Sequence, residues 1–107
     1  MAIRLASCVA SALLAFASPA MATDTLAVPN AAQIQWAVFG SNVFFRNLND
    51  FDSSWLGCCY NYWLDLTTDG GRAMFAAFLT ARTNGSAILL TVPAKGTASA
   101  INQLGNW

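Results

Sequence analysis

Residues 60–83 read YNYWLDLTTDGGRAMFAAFLTART, and this stretch decides the fold because it predicts a strand that leads directly into a helix. Large apolar side chains recur at every second position over residues 60–66, which is the pattern of a strand with one buried face. Thr67, Thr68 and Asp69 then supply side-chain oxygens that can accept the free amide protons of a first helical turn.

The clearest helix is predicted over residues 72–83. One side of it carries an apolar stripe that consists of Met74, Phe75, Phe78 and Leu79. Asn84-Gly85 predicts the end of the helix, because glycine adopts the left-handed conformation without strain.

Upstream of this stretch the pattern predicts a β-hairpin. Polar and apolar residues alternate over residues 33–38, with Ile34, Trp36 and Val38 on one face. Gly40-Ser41-Asn42 is typical of a turn, and residues 43–48 return as a second strand. Asparagine, aspartate and serine residues then predict a loop up to residue 54.

Downstream of the helix, the apolar run over residues 87–92 predicts a strand that Pro93 ends, and residues 101–104 predict a last short strand. The fold class is therefore α+β. Three strands, a helix and further strands are the element order of a small OB-like five-stranded barrel. A curled antiparallel sheet with one helix between strands 3 and 4 has the same order, so both architectures stay open.

The N-terminal segment, residues 1–22, has the layout of a secretory signal peptide. Arg4 provides the positive charge, residues 5–17 form an apolar run, and Ala20-Met21-Ala22 provides small residues for cleavage. An uncleaved membrane anchor is the alternative, but it needs about 20 apolar residues. We expect secretion or a periplasmic location, with no stable membrane insertion after cleavage.

The rest of the chain predicts one small domain. Residues 23–32 are mixed and polar and predict a loose N-terminal arm, and residues 33–107 predict a single α+β domain. The chain is 56% hydrophobic and 9% charged, which excludes a disordered protein. Its 5 basic and 5 acidic residues give no basic patch for nucleic acid.

The sequence contains no histidine, which excludes a Ser-His-Asp triad, a Cys-His dyad and an imidazole metal site. Asp50 and Asp52 are the closest acidic pair, but they lie in a polar loop that is typical of solvated aspartates. We therefore predict no catalytic residue, no metal and no cofactor, and the chain is predicted not to be an enzyme.

Cys58 and Cys59 are adjacent and leave three alternatives open. Both thiols can be reduced and buried, they can pair between two chains, or they can form a vicinal disulfide with a redox or ligand-contact role. Two cysteines without histidine are too few ligands for a structural zinc site.

Ligand contacts are predicted for Trp55, Asn61, Trp63 and Asp65. The last three share one face of the predicted strand, where a ring can stack on the C–H surface of a sugar while amide and carboxylate groups bond its hydroxyls. The alternative is an ordinary exposed strand face. Aromatic rings left outside the core would form an apolar patch of the kind that marks an interface.

Residues 62–66, 71–81 and 84–92 together resemble a group of small exported bacterial proteins of unknown role, which are similar to the B subunits of subtilase cytotoxins. The resemblance extends over residues 33–92. It implies an OB-like fold, export, ring-shaped oligomers and binding of sialylated glycans. That group commonly has a second cysteine after the strand that follows the helix, whereas this chain reads Lys95-Gly96-Thr97 there. No sugar-binding residue of the toxin is carried over.

These observations predict an exported, non-catalytic binding module with a glycan or protein ligand. The alternative is a structural or interaction protein that forms homo-oligomers, or a small periplasmic inhibitor, without a small-molecule ligand. The low charge favours association between copies, since few surface charges keep the subunits apart.

Overall fold

The computed structural model describes residues 23–107, so the predicted signal peptide lies outside the described residues. The described part forms the α-helix α1 (Asp69–Asn84) and two 3-10 turns, Ala31–Gln33 and Leu48–Asp50. Its strands are β1 (Asp24–Val28), β2 (Trp36–Phe39), β3 (Asn42–Phe45), β4 (Tyr62–Asp65), β5 (Ile88–Val92), β6 (Ser99–Ala100) and β7 (Gln103–Gly105).

The strands form two sheets. One is antiparallel with the order β1-β5-β7, and the other has the order β2-β3-β4-β6, in which β4 and β6 run parallel. The α+β class is confirmed, as is a helix between the third and fourth predicted strands, which correspond to β4 and β5. Residues 23–107 form no closed barrel, because neither sheet joins its two edge strands.

Both sheets and the helix share one hydrophobic core. Phe78 of α1 is fully buried and meets Phe45 of β3 edge-on, with 4.8 Å between the ring centroids. Burial of one such side chain contributes about 1.5–3 kcal/mol to folding. The remaining fully buried large side chains come from both sheets and their connections: Leu26, Val28, Ile34, Val43, Leu48, Tyr62, Leu64, Leu90 and Val92.

Helix α1 begins at Asp69, three residues before its predicted start, because Thr68 caps it. The Thr68 hydroxyl oxygen accepts a hydrogen bond from the Gly71 N–H at 2.9 Å and so satisfies one of the free donors of the first turn. At the other end Gly85 has a φ of 65°, which confirms the predicted left-handed stop.

Residues 23–32, predicted as a loose arm, instead contain the strand β1. This strand pairs with β5 along its whole length, from Asp24 opposite Val92 to Val28 opposite Ile88. The strand is ordered because Leu26 and Val28 project into the core, where they are 2% and 1% exposed. The paired residues lie 60 to 68 positions apart in the sequence, so no local pattern indicates the pairing.

The predicted hairpin is confirmed as β2 and β3, although both strands are shorter than predicted. Residues 31–33 form a 3-10 turn in which the Asn30 side chain accepts the Ala32 N–H, so the first strand begins only at Trp36. Gly40 has a φ of 62° at the first position of the turn, a conformation that favours glycine there. Val38 is 51% exposed and does not share the burial of Ile34.

The remaining strands also differ from their predicted ranges. β4 begins at Tyr62, because Tyr60 has a φ of 67° and leaves the extended conformation. The predicted strand over residues 101–104 is replaced by two shorter ones, β6 beside β4 and β7 beside β5. In the part of the chain that the structure describes, no helix is long and apolar enough to cross a membrane.

The junction between β4 and α1 is too close for a side chain at Gly71, because a Cβ atom there would overlap the carbonyl oxygen of Asp65. We expect Gly71→Ala to lower the free energy of unfolding by about 1–3 kcal/mol, since the helix or the strand end must shift. The neighbouring Gly70 has open space around it, so Gly70→Ala is the matched control.

Gly70→Ala should leave the free energy of unfolding unchanged or raise it by up to about 1 kcal/mol, because alanine favours the helix. Urea denaturation of both variants measures the difference. Equal stability of the two variants would contradict the close approach at Gly71.

Candidate functional site

The outer face of the four-stranded sheet carries exposed and half-buried aromatic rings. Phe44 of β3 and Trp63 of β4 are cross-strand partners, and their neighbours along each strand are buried, so both rings project outward. The ring of Phe44 lies 6.1 Å from that of Trp63 and 6.4 Å from that of Tyr60, measured between centroids. Phe39 of β2 is 79% exposed. We call Phe39, Phe44, Tyr60 and Trp63 the aromatic cluster.

A shallow apolar depression of about 340 Å³ opens at this cluster. Its walls are formed by Ala37, Val38, Phe39, Phe44 and Tyr60. This volume lies at the lower end of the range of about 300–1,000 Å³ for ligand pockets. The depression therefore has room for one ring of a ligand, with apolar contacts on several sides.

Polar side chains flank the aromatic pair on both sides of the same face. Asn42 and Asp65 are cross-strand partners. Each lies two residues along its strand from the Phe44–Trp63 pair, on the side of the β2–β3 turn. Gln35 and Arg46 lie in the opposite direction, joined by a backbone hydrogen bond from the Arg46 N–H to the Gln35 carbonyl at 2.9 Å. The Arg46 guanidinium also donates to the Gln35 side-chain oxygen at 3.4 Å. An apolar ring surface thus lies between two rows of hydrogen-bonding groups.

Asp65 also contributes to the start of the helix. One of its carboxylate oxygens accepts the Thr67 N–H at 2.9 Å and the Thr67 hydroxyl at 2.6 Å. These two hydrogen bonds hold the pKa of Asp65 below its usual value, because they stabilise the charged form. The bond from the Thr67 hydroxyl has the larger effect. The same oxygen, Oδ1, makes both bonds, so the other carboxylate oxygen, Oδ2, is free to accept from a ligand hydroxyl.

Trp55 lies in the core, and this burial does not support its predicted contact with a ligand. Its side chain is only 3% exposed, and its ring centroid lies 5.0 Å from that of Tyr62. The Tyr62 hydroxyl accepts the Leu56 N–H at 2.7 Å and donates to the Lys95 carbonyl oxygen. Burial raises the pKa of Tyr62, which keeps the hydroxyl protonated as a donor.

Asn61 lies next to the aromatic cluster but already has a structural hydrogen bond. Its side-chain amide donates to the Gly57 carbonyl at 2.7 Å and so shapes the loop before β4. Its backbone carbonyl accepts the Ser99 N–H at 2.9 Å, which starts the pairing with β6. The structure thus places Trp63 and Asp65 on one face, holds the Asn61 amide against the loop before β4, and separates Trp55 from them.

The sequence pattern did not single out Phe39, Phe44 or Tyr60 as site residues. The signal that could have found the first two is the hairpin turn, because a two-residue turn at Gly40-Ser41 fixes which residues lie opposite each other. Alternation from that register places Phe39 and Phe44 on the outer face. Tyr60 carries no such signal, since its orientation depends on a positive φ.

The Sγ atoms of Cys58 and Cys59 lie side by side, and both residues are exposed. The side chains therefore do not contribute to the core, and the formation of a disulfide within or between chains stays a prediction. Cys58 also lines a polar depression together with Arg46, Asn49 and Asp50.

Asp50 and Asp52, which lie outside the aromatic face, make local hydrogen bonds. Asp52 accepts the Ser54 hydroxyl at 2.6 Å and the Ser54 N–H at 2.9 Å, and these bonds lower the pKa of Asp52. Asp50 accepts from the Asn47 side chain at 3.1 Å. Within residues 23–107 no three cysteine, aspartate or glutamate side chains lie together as a metal site would require.

Comparison of the chain with protein-family models, with curated proteins and with solved structures gives no match. The resemblance to the B subunits of subtilase cytotoxins therefore stays a prediction from the sequence.

The hydrogen bonds from Thr67 predict an acid-dependent contribution of Asp65 to stability. The pKa of Asp65 is lower in the folded chain than in the unfolded one, so this contribution is complete above the unfolded value. It is lost as the pH falls through the folded value. We expect Thr67→Val to raise the pKa of Asp65 toward its ordinary value, measured by NMR titration of the side-chain carboxyl carbon.

Asp52 is the internal control in the same spectra, because its partner is Ser54 and Thr67→Val leaves that contact intact. An Asp65 pKa at its ordinary value in the wild-type protein would contradict the hydrogen bonds.

Proposed function

We propose that this chain is an exported, non-catalytic binding module that holds a glycan on the outer face of its four-stranded sheet. The observation that carries the proposal is the arrangement of the Phe44–Trp63 pair between two rows of polar side chains. Sugars present an apolar C–H surface edged by hydroxyls, and a ring flanked by hydrogen-bonding groups complements both parts.

Each part of the face has a role in this proposal. Trp63 and Phe44 provide the stacking surface, and Tyr60 closes one side of it. The contacts of Asp65 with Thr67 leave its Oδ2 oxygen free for a ligand. They also lower the pKa of Asp65 and so keep the carboxylate charged. Asn42 lies opposite Asp65 and adds an amide, which can both donate to and accept from neighbouring hydroxyls.

Export is supported by the sequence of residues 1–22, with its charged start, apolar run and small-residue cleavage site. An OB-like relationship of the strands and the helix is part of the same proposal. It is supported by the element order and by the resemblance to the toxin B subunits, which also suggests sialylated glycans as the first ligands to test.

We expect Trp63→Ala to weaken glycan binding by at least about tenfold, which corresponds to about 1.4 kcal/mol, because it removes the larger half of the stacking surface. The wild-type protein is screened against immobilised sialylated, galactose-terminated and mannose-terminated glycans, and affinities are then measured by titration calorimetry. Trp107→Ala is the matched control, since Trp107 is 57% exposed and lies beside β7 of the other sheet.

The control should bind with wild-type affinity, and the circular dichroism of both variants should match the wild type. Unchanged binding by Trp63→Ala would exclude the aromatic cluster as the site. A wild-type protein that binds no glycan of the three classes would contradict the glycan ligand.

A further inference from the structure

Strand β2 forms one edge of the four-stranded sheet and pairs only with β3. The turn at Gly40-Ser41 makes Phe39 and Asn42 a hydrogen-bonded pair, and such pairs alternate along an antiparallel ladder. The hydrogen bond from the Arg46 N–H to the Gln35 carbonyl agrees with this alternation. Residues 35, 37 and 39 therefore direct their backbone groups toward β3.

The backbone N–H and C=O groups of Trp36 and Val38 consequently point away from the sheet. No other strand of residues 23–107 pairs with this edge. Proteins usually protect such an edge with a charged side chain, a proline, a bulge or a covering segment. The strand reads WAVF and has no charge and no proline, and Val38 is 51% exposed.

We propose that β2 pairs antiparallel with β2 of a second copy of this chain, around a two-fold axis at Ala37. In this register Trp36 lies opposite the partner's Val38, and the two residues exchange both backbone hydrogen bonds. The symmetry repeats the exchange on the other side of the axis, so four hydrogen bonds form. The two sheets become one continuous sheet of eight strands.

The side chains of β2 favour a second copy over an unrelated partner. Ala37 lies opposite the partner's Ala37 at the axis, as a pair that is not hydrogen-bonded. Because the Cα atoms of such a pair lie closest together, a small side chain suits this position. Trp36 is held edge-on against Phe75 and Phe78, with centroid distances of 5.5 and 6.0 Å. In the pairing it lies beside the partner's Val38 and covers the apolar surface that a single copy leaves exposed.

Charge does not oppose the pairing. β2 carries no charged side chain, and residues 23–107 hold 4 basic and 5 acidic residues, a net charge of −1. Two copies therefore repel each other only weakly. The inference does not depend on a ligand, although the pairing would place the two aromatic clusters side by side on one surface.

Sedimentation equilibrium of the protein expressed from the full sequence tests the pairing over a range of concentrations up to about 100 μM, since so small an interface associates weakly. We expect a reversible monomer–dimer equilibrium. Val38→Pro should abolish it, because proline removes the N–H that points to the free edge and leaves the hydrogen bonds to β3 intact. Val38→Thr is the matched control, since it keeps the N–H and the branched side chain.

Val38→Lys is a second variant in case the proline disturbs folding. It keeps the backbone donor but brings two like charges close to the axis, so its dimer should form only at high salt. Amide hydrogen exchange at Trp36 and Val38 should slow with increasing protein concentration, which reports the register directly. A wild-type monomer at the highest concentration, or a Val38→Pro dimer as stable as the wild type, would overturn the proposal.

These measurements need no glycan. A wild-type protein that binds glycan but stays monomeric, or that dimerises but binds no glycan, therefore separates a failure of this inference from a failure of the proposed function.

Discussion

The close approach of the helix to the end of β4 is the constraint on which the rest of the structure depends. The carbonyl oxygen of Asp65 occupies the space that a side chain at Gly71 would need, so the chain reverses within a few residues and α1 returns beneath the sheet. That path brings Phe78 against Phe45 and joins the helix to the inner face. Because β4 is only four residues long, the same junction also fixes the residues that face outward. Asp65 thus contributes both to the start of the helix and to the polar edge of the aromatic cluster.

Much of the local structure could be predicted from the sequence, because it depends on short-range patterns. Alternation predicted the hairpin and β4, and the apolar stripe and the glycine after it predicted the helix and its end. β1 could not be predicted in the same way, since Leu26 and Val28 are ordered by a partner strand at the far end of the chain. The element order of a five-stranded OB-like barrel also does not determine closure, which depends on whether the edge strands meet.

The candidate site shows the same division between local and distant information. Trp63 and Asp65 could be placed on one face because they are two residues apart on one strand. Trp55 lies in a loop without periodicity, so nothing in its neighbourhood distinguished a buried ring from an exposed one. Phe39 and Phe44 belong to two strands, and their common face follows only from the register set by the turn. Sites that span several strands therefore need the register as well as the pattern.

The hydroxyl of Tyr62 has a consequence for how the molecule opens. The connection from β3 to β4 covers residues 46–61 and contains no strand of its own. Within this connection, the Leu56 N–H donates to the hydroxyl of Tyr62, which is the first residue of β4. The same hydroxyl donates to the carbonyl oxygen of Lys95 in the turn after β5. Detachment of the loop would break the hydrogen bond to Tyr62 and withdraw the buried ring of Trp55 from the core. This connection therefore belongs to the same cooperative folding unit as the strands around it and does not fluctuate independently as surface loops usually do.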